Sequence, residues 1–205
     1  MVRKRNHRLQ DRASHVLYET VTGFTTARPT VDDLVRALKD RAFGLVMLLF
    51  ALPNCIPGPP FLGSVLGLPL LFFGVQLAIG RRYPWLPSFI RRYEIDRATL
   101  LAIIARGRPV LERIERVCRP RLQVVTGPRS ERLLGVAMTI LSAAVMIPLP
   151  FTNFIPALGI AVISLGLMEE DGVTIMIGLG IGLVGVALVV AVLVGAGAVF
   201  TMLTA

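Results

Sequence analysis

Three amide side chains stand within otherwise apolar stretches, and they are the residues best suited to chemistry in this chain. Asn54 and Asn153 each lie in a proline-rich break, and Gln76 lies in a long apolar run. Polar groups surrounded by hydrocarbon are costly, so such residues mark candidate binding sites in membrane proteins. One interpretation is a polar site at mid-membrane, lined by these amides and by the carbonyls of the breaks, as in transporters built from broken helices. The other is that the asparagines cap helices that proline interrupts.

The other reactive side chains form no catalytic arrangement. The acidic triplet 169–171 precedes Gly172, and we expect a solvated turn there whose charge favours the start of the next helix, rather than a proton carrier. Ser64, Ser142 and Ser164 have no histidine nearby, because both histidines lie in the N-terminal tail. The chain has no phosphate-binding glycine loop, and its two cysteines lack metal-ligand spacing. We therefore expect no enzymatic activity, no cofactor and no metal site.

The positive charge is confined to two parts of the chain. All 22 lysines and arginines fall within 1–41 and 81–132, and none lies within 42–80 or 133–205. The cation-free segments hold the long apolar runs, and the mean hydropathy of the chain is +0.70. A net charge of +9 could suit a nucleic-acid-binding protein, but arginines that flank apolar segments follow the positive-inside rule. We expect a lipid bilayer as the partner, and no nucleic acid.

The two cation-free segments open with related patterns, which predicts an internal repeat. The first contains Arg41-Ala-Phe-Gly-Leu-Val-Met47, Ile56-Pro57, Leu66-Gly67 and Gly74, and the second contains Arg132-Leu-Leu-Gly-Val-Ala-Met138, Ile147-Pro148, Leu158-Gly159 and Gly166. The offset is 91 residues up to the Ile-Pro pair and 92 beyond it. One residue has therefore been inserted just after the break.

Each repeat is predicted to be a helical hairpin broken by proline. In the first, residues 42–52 precede Pro53, the break covers 54–60, and a second arm covers 61–79. The first arm reaches roughly 16 Å, about half the hydrocarbon thickness, so the break needs shielding by protein or water. Both flanks of the first hairpin are cationic, so an even number of crossings or a re-entrant path is expected for it. Since the apolar run 100–105 of the connector is too short to span, the connector stays on one side and both hairpins should enter from the cytoplasm. Parallel repeats are expected, and an inverted arrangement remains open.

The remaining segments are predicted to be helical. Val31–Lys39 has one apolar face, and Thr30 is its expected cap. Residues 110–118 form an amphipathic surface helix within the arginine-rich connector. Residues 173–205 greatly exceed the roughly 20 apolar residues that cross a bilayer. They form either one long tilted helix or a helix with a frayed tail and a bend at Gly195–Gly197. Gly178 and Gly182 match a pattern for close helix packing, within the chain or in a homodimer.

The sequence therefore predicts an all-α integral membrane protein with two repeated proline-broken helical hairpins, an amphipathic arginine-rich connector and a C-terminal transmembrane helix. Its expected parts are a cytoplasmic tail with a short amphipathic helix (1–41), repeat 1 (42–80), a basic interfacial connector (81–132), repeat 2 (133–170) and the C-terminal helix (171–205).

Several runs resemble the ExoD family of bacterial exopolysaccharide-synthesis proteins. They are Arg41-Ala-Phe-Gly-Leu, Ala51-Leu-Pro-Asn-Cys-Ile-Pro-Gly-Pro-Pro60, Leu66-Gly-Leu-Pro-Leu-Leu71, Gln76-Leu-Ala-Ile-Gly-Arg81, Pro84-Trp-Leu-Pro87, Ile147-Pro-Leu-Pro-Phe-Thr-Asn-Phe-Ile-Pro-Ala157 and Gly166-Leu-Met-Glu-Glu-Asp-Gly172. The likeness extends from about Val31 to Leu193, and Cys55 and Gly58 depart from it where larger aliphatic residues are usual. It implies a multi-pass protein of the bacterial inner membrane that is linked to exopolysaccharide production or its regulation. It implies no reaction and no catalytic residues.

Two main functions remain open on the sequence alone. The first is a non-catalytic inner-membrane factor that acts through exopolysaccharide-synthesis proteins and as a homodimer. The second is a transporter for a small solute, an ion or a lipid-linked sugar that uses the broken repeats. An enzyme acting on a lipid-linked saccharide is the weakest alternative, because the acidic residues lie outside the apolar segments.

Overall fold

The computed structural model describes residues 19, 21–24, 26, 28–38, 41–56, 60–118, 122, 127–149 and 152–204, and this part of the chain is all-helical. An isolated antiparallel bridge between Thr30 and Glu94 is not part of a strand. The helices are α1 (Val31–Leu38), α2 (Arg41–Asn54), α3 (Pro60–Ala78), α4 (Ser88–Arg91), α5 (Arg97–Val117), α6 (Pro128–Met146), α7 (Phe154–Met168) and α8 (Gly172–Thr204).

Helix α1 begins where the sequence predicts a cap. The hydroxyl of Thr30 accepts the N–H of Asp33 at 3.2 Å, and the Asp33 carboxylate accepts the backbone N–H of Thr30 at 3.0 Å. This reciprocal pair satisfies two N–H groups at the start of the helix. Backbone bonds from Val31 to Tyr93 and from Ile95 to Pro29 fasten the same segment to the connector. The predicted cap and helix are confirmed.

The proline breaks differ slightly from the predicted boundaries. Helix α2 continues past Pro53 to Asn54, and α7 begins at Phe154, within the proline-rich run 147–156 of the second hairpin. Pro156 is tolerated in the first turn of α7, because an N–H at that position would have no partner within the helix. Helices α2 and α7 therefore extend into the breaks, whereas α6 ends at Met146, just before the Ile147-Pro148 pair.

The connector is more helical than predicted. Residues 100–105 and 110–117 belong to one helix, α5, with Pro109 inside it. Helix α6 starts at Pro128, within the basic connector, where proline suits the first helical position. The side chains of the predicted amphipathic face at 110–117 lie outside the described residues, as does the tail at 1–18.

Each arm of one hairpin packs mainly against an arm of the other hairpin. The most extensive contacts between the units join α2 to α7 and α3 to α6, while α2 and α3 touch each other less. Gly44 on α2 lies against the backbone of Ser164 on α7, and Gly135 on α6 lies against the backbone of Ala78 on α3. These two glycines occupy matching positions, 91 residues apart. Each hairpin therefore supplies the main packing surface for both arms of the other hairpin.

Both hairpins point the same way. Arg41 at the start of α2 forms an ion pair with Glu170 just after α7, at 3.9 Å. At the opposite end, the Ser64 hydroxyl on α3 donates to the carbonyl of Met146 at the end of α6, at 2.8 Å. The chain termini of both hairpins thus lie at one charged end of the bundle, and both breaks lie at the other.

Helix α8 is continuous through Gly195 and Gly197 as far as Thr204, which agrees with the prediction of one long helix rather than a helix with a frayed tail. Of the helices in the described ranges, it is the one long and apolar enough to cross a membrane, over Gly172–Val199. Gly178 and Gly182 contact α7 at Gly159 and Ile163. The glycine face is thus used within the chain.

Candidate functional site

Asn54 is the last residue of α2, and its side chain caps that helix. Its amide donates to the carbonyl of Phe50 at 3.0 Å, and the residue is only 6% exposed. Pro53 interrupts the helical hydrogen bonds here, so the last carbonyls need other donors. The capping interpretation therefore describes Asn54 well.

Gln76 holds the segment that follows α3. Its amide donates to the carbonyl of Trp85 at 3.2 Å, and its side-chain oxygen accepts the backbone N–H of Trp85 at 2.6 Å. The Trp85 ring meets Phe72 edge to face, with ring centroids 6.0 Å apart. Gln76 thus fixes the Pro84-Trp85 turn against α3.

Asn153 has fewer side-chain hydrogen bonds in the described structure than Asn54, the other asparagine at the breaks. It precedes α7 but makes no side-chain cap bond. Its amide nitrogen lies against Gly63 of α3. Its side-chain oxygen is buried, and no hydrogen-bond partner for it lies among the described residues. Buried polar atoms usually have a partner, so of the three predicted amides this oxygen has the hydrogen-bonding capacity that the described residues leave unused.

The structure does not gather the three predicted residues into one site. Asn54 and Asn153 lie at the end of the bundle that holds the breaks. Gln76 lies 13 residues along α3 from Gly63, about 20 Å away at the usual helical rise. The amides therefore belong to two separate environments.

Hydroxyl groups inside the bundle bond to their own helices. Ser142 donates to Met138 and Ser164 donates to Ile160, both at 2.7 Å. Thr139 donates to Gly135 at the same distance. Each is a bond to the carbonyl four residues earlier, which satisfies a buried hydroxyl without any other group.

The acidic triplet differs from the expected solvated turn. Glu169 and Asp171 are 7% and 2% exposed, and only Glu170 is exposed. The Asp171 carboxylate accepts the N–H of Val173 at 3.1 Å and the hydroxyl of Thr174 at 2.9 Å. The prediction was wrong on exposure because Asp171 caps α8 from a packed position. It was right that this charge favours the start of α8.

Cys118 joins this cluster from the end of α5. Its sulfur lies 3.5 Å from the hydroxyl of Thr174. Burial raises the pKa of the Cys118 thiol, and the nearby Asp171 and Glu169 carboxylates raise it further, against the effect of the Thr174 bond. The thiol is therefore neutral at physiological pH and a poor nucleophile. Within the described ranges, no three His, Cys, Asp or Glu side chains are grouped to hold a metal.

The charged end of the bundle contains a cavity of about 210 Å³ that the sequence analysis missed. Its charged lining comes from four separate segments of the chain: Arg41, Arg81 with Arg82, Glu131 and Glu170. Residues so far apart in sequence give no local motif. The available signal was the charge at the hairpin ends, with Arg41, Arg81 and Arg132 at three of them and Glu169-Glu170-Asp171 at the fourth. These charges come together once both hairpins point the same way.

These features define an all-helical protein with paired broken hairpins and one helix able to cross a membrane. The chain belongs to the ExoD family, because the model of that family, described as "Exopolysaccharide synthesis, ExoD", matches residues 13–191. The resemblance seen in the sequence is thereby confirmed, and the family is assigned to exopolysaccharide synthesis.

Two relatives are similar over most of their length. One is an uncharacterized protein, slr1875, of Synechocystis, 32% identical over 148 residues, which are 70% of each chain. The other is Protein ExoD of Rhizobium meliloti, 28% identical over 168 residues, which are 78% of this chain and 70% of that protein. No solved structure gives a significant match.

Proposed function

We propose that this protein is a non-catalytic, multi-pass component of the bacterial inner membrane that supports exopolysaccharide synthesis or its regulation. On this proposal the N-terminus and the 81–132 connector are cytoplasmic. The protein acts by binding other exopolysaccharide-synthesis proteins and a second copy of itself.

The apolar exterior of the bundle carries this proposal. Large apolar side chains point outward from α2, α3, α6 and α8, and many are more than half exposed, such as Leu49, Val65, Leu133 and Leu183. Soluble monomers rarely expose continuous apolar surfaces of this extent. Hydrocarbon is the solvent that suits them.

The use of the interior polar groups supports a non-catalytic role. Asn54, Ser142 and Ser164 bond to backbone carbonyls of their own helices, and Gln76 bonds to a backbone turn. Such bonds satisfy buried polar groups and stabilise the fold. They do not orient a nucleophile or a base toward a substrate.

The exchanged packing supports the predicted parallel repeat. Exchanging the two units converts the α2–α7 pairing into the α6–α3 pairing, and Gly44 and Gly135 make matching close contacts. For the homodimer, the support is the far part of α8, where residues 190–199 are exposed. A second copy packed there would double the mass measured in detergent by light scattering, and a monomeric mass would contradict the homodimer.

Complementation tests the proposed function. In a bacterium that lacks its own copy of the gene, the wild-type protein and Ser142→Ala should restore secreted exopolysaccharide equally. Asn153→Leu should also restore it, because the proposed role needs no polar site. The protein should stay in the membrane pellet after carbonate extraction, and release into the supernatant would contradict the membrane placement.

A transporter is the second candidate, and the buried oxygen of Asn153 favours it. On this alternative, Asn153→Leu abolishes exopolysaccharide while its abundance and melting temperature stay near those of the wild type. The same variant should then abolish solute flux in liposomes, and Ser142→Ala should not. Unchanged flux would leave Asn153 with a structural role.

A further inference from the structure

We propose that the cavity at the charged end binds a phosphate group, supplied by the head group of an anionic phospholipid. The site, here called the arginine cavity, is formed by Arg41, Arg81 and Arg82 with Glu131 and Glu170. The lipid source rests on the membrane placement proposed above, whereas phosphate recognition does not.

Arg81 and Arg82 are the two cations available to an anion. Across the described part of the chain, neither forms an ion pair, whereas Arg41 pairs with Glu170 at 3.9 Å. Arginine binds phosphate through two parallel N–H···O bonds, so adjacent arginines at one cavity suit a phosphate better than a single charge would.

The backbone fixes where these arginines stand. The N–H of Arg81 donates to Gln76 at 3.1 Å and that of Gly80 donates to Leu77 at 2.9 Å. Gly80 has a φ of 84°. Together these bonds form the Schellman motif, in which a glycine in the left-handed region ends a helix. Arg132 lies against Gly80 and adds a further cation beside the cavity.

The balance of charge and the apolar lining favour a lipid of low charge. The cavity carries three arginines and two glutamates, so a phosphodiester with one negative charge matches it better than a polyanion does. Phe43, Leu77 and Leu167 line the rest of the cavity. These three side chains are at most 9% exposed and form the apolar floor of the cavity. Ile79, two residues after Leu77, is 67% exposed on the bundle exterior, where the apolar part of an amphiphile can lie. Basic pockets between membrane helices on the cytoplasmic side bind lipid head groups in this way.

Native mass spectrometry of the full-length protein in neutral detergent tests this site. Short-chain phosphatidylglycerol should bind at least about tenfold more tightly than phosphatidylcholine, equivalent to about 1.4 kcal/mol. Arg81→Gln/Arg82→Gln should lower phosphatidylglycerol binding about tenfold. Arg81→Lys/Arg82→Lys should recover part of it. The matched control is Arg92→Gln/Arg106→Gln, which removes the same charge at exposed positions outside the cavity and should change binding less than twofold.

Competition with inorganic phosphate identifies the source of the phosphate group. If millimolar phosphate displaces the lipid, the arginine cavity recognises the phosphate group itself. If it does not, the lipid as a whole is the ligand. Equal binding of both lipids together with no binding of phosphate would overturn the proposal, as would equal losses in the cavity variant and the control. If the double variant fails to fold, single Arg81→Gln and Arg82→Gln variants are compared with the control in the same way. Carbonate extraction separately decides whether the membrane placement fails.

Discussion

Gly44 and Gly135 show how single residues determine the approach of the hairpins. An added Cβ on Gly44 would lie 2.6 Å from the carbonyl oxygen of Ser164, and one on Gly135 would lie 2.6 Å from the carbonyl carbon of Leu77. Backbone atoms of a facing helix cannot rotate away as side chains can. Glycine is therefore required at both positions, although it lowers intrinsic helix stability.

We predict that Gly135→Ala lowers the melting temperature in detergent, with a loss of about 1–3 kcal/mol from overpacking. Gly180→Ala is the matched control, because nothing lies within 4 Å of its added Cβ. That control should be neutral or slightly stabilising, since alanine favours a helix by about 1 kcal/mol over glycine. Equal effects of the two changes would show that α3 and α6 do not pack as described.

At the scale of elements, α1 depends on a carboxylate that accepts two hydrogen bonds. The Thr30 hydroxyl, then the Thr30 N–H and the charge of Arg36, hold the pKa of Asp33 below its usual value, against a small effect of burial. The folded pKa is thus lower than the unfolded pKa. The stabilisation is present above the unfolded pKa and is lost as pH falls through the folded value.

We predict that Asp33→Asn speeds hydrogen exchange of the α1 amides at pH 7, because capping interactions contribute about 1 kcal/mol. Asp32→Asn is the control, because Asp32 makes only ion pairs that remain accessible to solvent, with Arg36 and with Arg91. Such pairs contribute little, so exchange should change less. In the wild type, α1 should open as pH falls below about 4. If the α1 amides exchange equally slowly in the wild type and in Asp33→Asn, Asp33 does not cap the helix.

The elements themselves were largely predictable, and their mutual arrangement was not. Periodicity and the Thr30 cap locate α1, and proline clusters locate both breaks. The extension of α6 to Pro128 was not predicted, because its first turn is polar and charged and an apolar run therefore does not include it. The burial of Asp171 and the meeting of Arg41 with Arg81 depend on packing between distant segments. Asn54 and Gln76 were identified as polar residues within apolar stretches. Their hydrogen-bond partners are backbone groups, and sequence spacing does not show which backbone groups come within reach.

At the scale of the whole molecule, α8 determines the side on which the chain ends. It begins beside the charged end and extends over 33 residues, about 50 Å, against a hydrocarbon thickness of about 30 Å. On the proposed topology, the hairpins return to the side where they enter. With the connector in the cytoplasm, as proposed, α8 then carries the chain to the opposite side of the membrane.

We predict that a reporter fused after Thr204 lies in the periplasm. Alkaline phosphatase there should be active and green fluorescent protein dark. A reporter placed after Gly107 in the connector should give the opposite result, and it serves as the internal control. Fluorescence from the fusion after Thr204 would mean that α8 does not cross.

The exchanged pairing of α2 with α7 and of α3 with α6 affects how the protein is made. While the ribosome is still producing the second half, the first hairpin has been synthesised but neither of its arms has its main neighbour. On the proposed membrane placement, the first hairpin therefore has glycine-lined surfaces uncovered until translation delivers the second hairpin. A slower ribosome would lengthen this interval.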